Sequence, residues 1–209
     1  MGEISVKTGN NARNGGKNSL NRLIRCVCGK KIGPDPRNFN QRVSLGRNDL
    51  LIRTFPSFLR FTTIHPQFDL YLITNGIRNR PQDKGGIEYF DIPDGSVSLG
   101  FRIRSTYESE SLLPIKSDGE FVFSELVVYQ KNKDDLPYKL NFNDHLQFLR
   151  EKLGKELKDN QNGLPERRVL TFFHDFLVIV IFMDSSENIN LIKFISPSVF
   201  HRKNLGINI

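Results

Sequence analysis

The chain has no tryptophan, only two cysteines in 209 residues, and no apolar run approaching the roughly 18 residues that span a bilayer. Each absence excludes something. Cys26 and Cys28 are two residues apart, which strains an intrachain disulfide. No second pair of thiols follows and the nearest histidine is His65, so a structural zinc site is not expected. The longest apolar run, FLVIVIFM over 176–183, has the length of a strand. No apolar segment follows the opening MGEISVKTG and no Asn-x-Ser/Thr sequon occurs. Both point to a non-secreted protein of a reducing compartment, cytosol or nucleus.

Catalytic signatures are missing too. There is no G-x-S-x-G, phosphate-binding P-loop, G-x-G-x-x-G or H-E-x-x-H. Of the four histidines, His145 follows Asp144 where a helix start explains the pair. His174 and Asp175 fall on opposite faces if one strand runs through them. Glu108, Glu110, Asp134 and Asp135 sit in polar connections and read as solvated. The expectation is a non-enzymatic chain with no cofactor and no metal.

What is present is an uneven charge. Residues 1–48 carry Lys7, Arg13, Lys17, Arg22, Arg25, Lys30, Lys31, Arg37, Arg42 and Arg47 against Glu3 and Asp35, a net +8. Residues 49–209 hold 20 basic and 21 acidic side chains, a net −1. A basic segment beside a near-neutral body is suited to a polyanion, either nucleic acid or an anionic membrane surface. The ten cations are therefore the candidate nucleic-acid contacts, with RNA favoured over DNA.

Residues 1–18 are rich in Gly, Asn and Lys and too poor in apolar groups to offset ordering entropy, which predicts disorder. Ser19 then offers an N-cap to a short amphipathic helix over 20–28. Leu20, Leu23, Ile24 and Val27 form its stripe and Gly29 its stop. That stripe suits an interfacial contact with membrane or partner, or docking on the chain's own core. Cys26 and Cys28 in such a basic stretch are candidate S-acylation sites. The N-myristoylation pattern is broken by Val6. Gly33, Pro34 and Pro36 forbid regular structure, and the arm-to-body boundary falls near Asn48.

The body, 49–209, reads as mainly β, an antiparallel sandwich or an α+β sheet layer. Strands are predicted at 51–56, 57–64, 67–74, 120–130, 167–184 and 189–196. A hairpin with one wet face is predicted over 87–105 around Pro93-Asp94-Gly95. One long helix is expected near 144–158, capped by Asp144, with Leu146, Leu149, Leu153 and Leu157 as its seam. HRKNLGINI reads as a frayed tail. Arg102 and Arg104, with Arg53 and Arg60, could extend a basic surface.

By architecture alone, a basic arm joined to a β-rich body is similar to small viral structural proteins of coat or matrix type, a fold-level analogy. It implies self-assembly and a virion location, and it carries no site residues with it. No PPxY or PSAP tetrapeptide is present, which weakens the matrix version. Three expectations follow: an RNA-binding assembly protein that is a homo-oligomer, a peripheral membrane protein using 19–31, and a nucleic-acid transport protein or host-interaction factor.

Overall fold

A computed structural model of the chain describes residues 58–83, 85–132, 135–161 and 168–209, all within the unit that runs from Arg47 to Ile209. Its centre is one seven-stranded sheet. The strands are β1 (Ile87–Asp91), β2 (Val97–Ile103), β3 (Phe121–Tyr129), β4 (Lys158–Asn160), β5 (Arg168–His174), β6 (Leu177–Met183) and β7 (Ile189–Ile195). Their spatial order is β1-β2-β3-β7-β6-β5-β4, and every pairing is antiparallel. Two meanders, β1–β3 and β4–β7, are thus joined where β3 meets β7. A single sheet rather than a two-sheet sandwich realises the mainly β expectation.

Among the described residues four short α-helices accompany it: α1 (Pro66–Thr74), α2 (Arg104–Glu110), α3 (Leu146–Leu153) and α4 (Val199–Leu205). None of the helices among the described residues is long and apolar enough to cross a membrane.

One sheet face is the core face. Val97, Leu99 and Phe101 of β2 lie on it with Leu126 and Val128 of β3. So do Ile192 and Phe194 of β7, Ile179 and Ile181 of β6, and Leu170 and Phe172 of β5, all buried in one cluster. Phe68 and Leu72 of α1 and Leu149 and Leu153 of α3 close that cluster. Phe68 is fully buried. Its ring stacks on Phe58 and on Phe123, each with centroids 5.2 Å apart.

Several elements differ from the sequence expectation, each for a physical reason. The stretch 67–74 is the helix α1, not a strand. Pro66 opens it, and its buried residues Phe68, Tyr71 and Leu72 are spaced i, i+3, i+4. Leu70 and Ile73 remain exposed, so the apolar alternation in the sequence was incidental. Residues 57–64 are not a strand over the described part from Phe58 on; only Thr62 bridges, to Val122.

The long helix over 144–158 shortens to α3. Gly154, at φ 88°, stops it, and Lys158–Asn160 then pairs with β5. Asp144 does not cap it. Its Oδ2 accepts the Asn141 N–H at 2.8 Å and takes the Lys152 ammonium at 2.6 Å, while His145 holds the N-cap position. Leu157, beyond the stop, is exposed.

The stretch 167–184 is a hairpin rather than one strand. His174 pairs with Leu177, leaving Asp175 (φ 47°) and Phe176 (φ 60°) as a two-residue turn. His174 and Asp175 are consequently not on opposite faces; Nε2 and Oδ2 are 3.8 Å apart. The tail does not fray either. Ser198 donates its backbone N–H to His201 Nδ1 at 3.1 Å and opens α4, and Ile207 beyond it is buried.

Because Phe68 links α1 to the sheet through β3, truncating it leaves a cavity under the helix. Phe68→Ala should cost about 3–5 kcal/mol, read as a lower urea midpoint at unchanged slope.

Candidate functional site

The residues singled out from the sequence lie outside the described residues. These are the ten cations from Lys7 to Arg47, the stripe Leu20, Leu23, Ile24 and Val27, and Cys26 and Cys28. The described body shows what charge chemistry remains. Arg102 pairs with Glu110, and Arg104, which opens α2, pairs with Glu108 at 2.8 Å. Arg80 pairs with Asp69, Arg150 with Glu156 at 2.5 Å, and Lys152 with Asp144. Arg168 takes both Asp159 at 2.7 Å and Glu187 at 2.5 Å. The Arg150 guanidinium holds the Glu156 carboxyl down at about 2, and Arg168 lowers Asp159. Arg102 and Arg104 therefore do not make a shared basic face, and Arg53 lies outside the described residues. Nor are Glu108 and Glu110 merely solvated; they are the partners of those arginines.

Two places in the body gather polar chemistry. The first is on the sheet face opposite the core. A β-bulge between Gly100 and Phe101 of β2 leaves Ser124 as the extra residue on β3. Phe123 and Leu126, three apart, can then both reach the core, while Glu125 turns to the other face opposite Gly100. Glu125 is only 4% exposed, and a carboxylate so buried must be paired. Tyr89 donates its hydroxyl to Oε1, and the Lys193 ammonium lies 3.4 Å from the same oxygen. The same ammonium sits 5.8 Å from the centre of the Tyr89 ring. Burial first, then the Glu125 carboxylate, pushes the Tyr89 phenol well above its usual range.

This trio is held by its own partners. A phenol so hard to ionise is a fixed donor rather than a base, and the carboxylate is satisfied on two sides. The expected wet face of the 87–105 hairpin keeps Tyr89 and Asp91 exposed, while Ser98 is only 2% exposed and donates its hydroxyl to Asp91. Nearby, the Tyr107 hydroxyl and Ser196 Oγ are 2.6 Å apart beside His201. Burial and then the Arg102 charge lower the pKa of His201, which favours its neutral form. With Nδ1 accepting from Ser198, its role is that of a helix cap. The spacing Ser198-x-x-His201 echoes the usual Ser-x-x-Glu capping box, and that is the signal by which sequence reading could have found α4.

The second place is a cleft of about 380 Å³ at the β5–β6 turn, lined by Leu59, Arg60, Leu113, Lys116, Asp175, Phe176 and Leu177. Sequence reading missed it, because its residues come from three well-separated segments, at 59–60, 113–116 and 175–177. Leu59 and Leu177 are buried in it, whereas Phe176 is 60% exposed at its rim. Arg60 (φ 74°), Asp175 and Phe176 all hold left-handed backbone, which non-glycine residues adopt uncommonly. Tyr138 (φ 59°) and Lys139 (φ 56°) add two more nearby, the Tyr138 ring packing edge-on to His174 at 4.8 Å. No group of three or more His, Cys, Asp or Glu among the described residues could hold a metal.

Comparison with known proteins adds little to these geometries. No family model matches the chain, and no curated protein does. Among solved structures, the chain is similar to the crystal structure of a DUF4309 family protein (YjgB) from Bacillus subtilis subsp. subtilis str. 168. That likeness is at 11% identity and a TM-score of 0.36, over 61% of this chain and 76% of that one. The functional reading therefore rests on the chain's own residues.

The bulged face makes one sharp demand on sequence. A Cβ on Gly100 would stand 2.6 Å from Glu125 Cγ and 3.0 Å from both Ile87 and Tyr89. Gly100→Ala should therefore destabilise the protein by about 1–3 kcal/mol in a chemical denaturation series. Gly154→Ala, with no atom within 4 Å of its added methyl, should lack that crowding and be limited to the cost of its φ.

Proposed function

We propose that the chain is a non-enzymatic assembly protein whose residues 1–48 bind nucleic acid, RNA in preference to DNA, without reading its sequence. The β body supplies the self-associating scaffold. The observation that carries this reading is the division of charge: +8 in residues 1–48 and −1 in the rest. The body supports it from the other side, since Arg80, Arg102, Arg104, Arg150, Lys152, Arg168 and Lys193 all have carboxylate partners. Cations already neutralised within the fold release few counterions on meeting a phosphate backbone, whereas those of a basic segment release theirs. The coat- or matrix-like comparison belongs to this proposal as an analogy of organisation, and the single sheet is not the sandwich that the analogy would favour.

A second reading has one feature in its favour. Leu20, Leu23, Ile24 and Val27 form an apolar stripe flanked by Arg22, Arg25, Lys30 and Lys31, the face division of an interfacial helix. On that reading the protein is peripheral to an anionic membrane.

Binding of the full chain to single-stranded RNA and to anionic vesicles across a salt series separates the two. The nucleic-acid reading expects tight RNA binding that weakens steeply with salt and collapses when the ten cations of residues 1–48 become Gln. Leu23→Glu should leave that binding nearly unchanged. Vesicle binding that outcompetes RNA and is lost in Leu23→Glu would replace it with the membrane reading.

A further inference from the structure

Among the described residues the sheet has two edge strands, β4 and β1, and they differ in kind. β4 is three residues long, with Lys158 exposed and Asp159 already taken by Arg168. Short strands and charged side chains are how natural sheets keep their edges from pairing. β1 lacks both devices in full. Its five residues, Ile87-Glu88-Tyr89-Phe90-Asp91, contain no proline and no lysine, and its register with β2 runs without a bulge.

The Ile92 N–H donates to the Val97 carbonyl at 3.0 Å, which sets the phase of the β1–β2 ladder. Bonded pairs alternate in an antiparallel ladder, so the backbone groups of Phe90 and Glu88 are the ones that bond to β2, opposite Leu99 and Phe101. Those of Ile87, Tyr89 and Asp91 point away from the sheet, and none of the described residues takes them up. The strand is also held where it stands. The Tyr89 hydroxyl ties it to Glu125 on one face, and the Phe90 ring packs edge-on to Phe101 at 5.9 Å on the other. An edge fixed in advance gives up little freedom when a further strand joins it.

We propose that β1 pairs antiparallel with β1 of a second copy of the chain, about a two-fold axis at Tyr89, so that two sheets become one. The proposal rests on the self-association within the proposed function and gives it a surface. The strand is complementary to itself in this register. Ile87 comes opposite Asp91 of the second copy and Glu88 opposite Phe90 of the second copy, so each carboxylate faces an apolar side chain. Every outward backbone group of Ile87, Tyr89 and Asp91 then has a partner. Centring the axis on Glu88 would set two carboxylates against each other, and centring it on Phe90 would leave Ile87 unpaired. Such a contact closes at two copies.

The test is residue-resolved amide hydrogen exchange of the full chain without nucleic acid, over a protein concentration series matched by sedimentation velocity. Glu88 and Phe90 amides, bonded to β2, should be protected throughout. Those of Ile87, Tyr89 and Asp91 should exchange fast in the monomer and slow by about tenfold or more as the dimer forms. Ile87→Pro removes an outward N–H at the first residue of an edge strand, where proline is tolerated. It should weaken the dimer by about tenfold or more, with the protected Phe90 amide reporting an intact fold. Lys158→Glu on β4 should leave the dimer unchanged. A dimer whose Ile87, Tyr89 and Asp91 amides stay fast, or one indifferent to Ile87→Pro, would overturn the pairing and leave self-association to another surface. A chain that stays monomeric would overturn both. Loss of RNA binding with the β1 pairing intact would uphold the pairing and remove only the nucleic-acid half of the proposed function.

Discussion

The stack of Phe68 between Phe58 and Phe123 is the contact on which the described body turns. A single seven-stranded sheet has two faces, and its stability requires that at least one be removed from water. Here α1 and α3 do that, and Phe68 is the point at which α1 enters the sheet's core. Phe123 can receive it because the β2–β3 bulge allows Phe123 and Leu126 to point the same way. The same bulge sends Glu125 to the opposite face, where Tyr89 and Lys193 satisfy it above Gly100. One irregularity in pairing thus serves the aromatic core on one side and a mutually paired polar cluster on the other.

That pairing has a functional consequence. Arg80, Arg102, Arg104, Arg150, Lys152, Arg168 and Lys193 are each spent on a carboxylate of the body, in pairs that tie helix to strand and strand to turn. Glu156 held at about 2 by Arg150 and Asp159 lowered by Arg168 are signs of the same internal pairing. These paired cations offer little to a phosphate backbone. On the proposed reading, the polyanion contact falls to residues 1–48, and self-association falls to the body.

The legible parts of the fold were those with strong local signals. Pro93-Asp94-Gly95 announced the β1–β2 hairpin; Gly95 at φ 62° and the Asp94 side chain accepting the Ser96 N–H are what that turn chemistry requires. β3 and β7 were legible from β-branched and aromatic runs. The β5–β6 turn was not, because Asp175 and Phe176 adopt left-handed backbone without glycine or asparagine to mark it. α1 was misread because Leu70 and Ile73, exposed in the fold, completed a strand-like alternation. The longer α3 failed at Gly154, a stop that a continuous leucine seam concealed. Of the candidate sites, only the charge division was readable. Glu125 and the cleft depend on register and on contacts between distant segments.

The measurement that tests the account most directly is the slope of log K against log salt for single-stranded RNA, taken one cation at a time. Replacing Lys30 or Arg42 by Gln should each lower that slope by about 0.7. Replacing Arg102 or Arg168, already paired with carboxylates, should leave it unchanged in variants that stay folded. The reverse pattern, with slope lost in the body and kept in residues 1–48, would contradict the central claim that residues 1–48 carry the phosphate contacts.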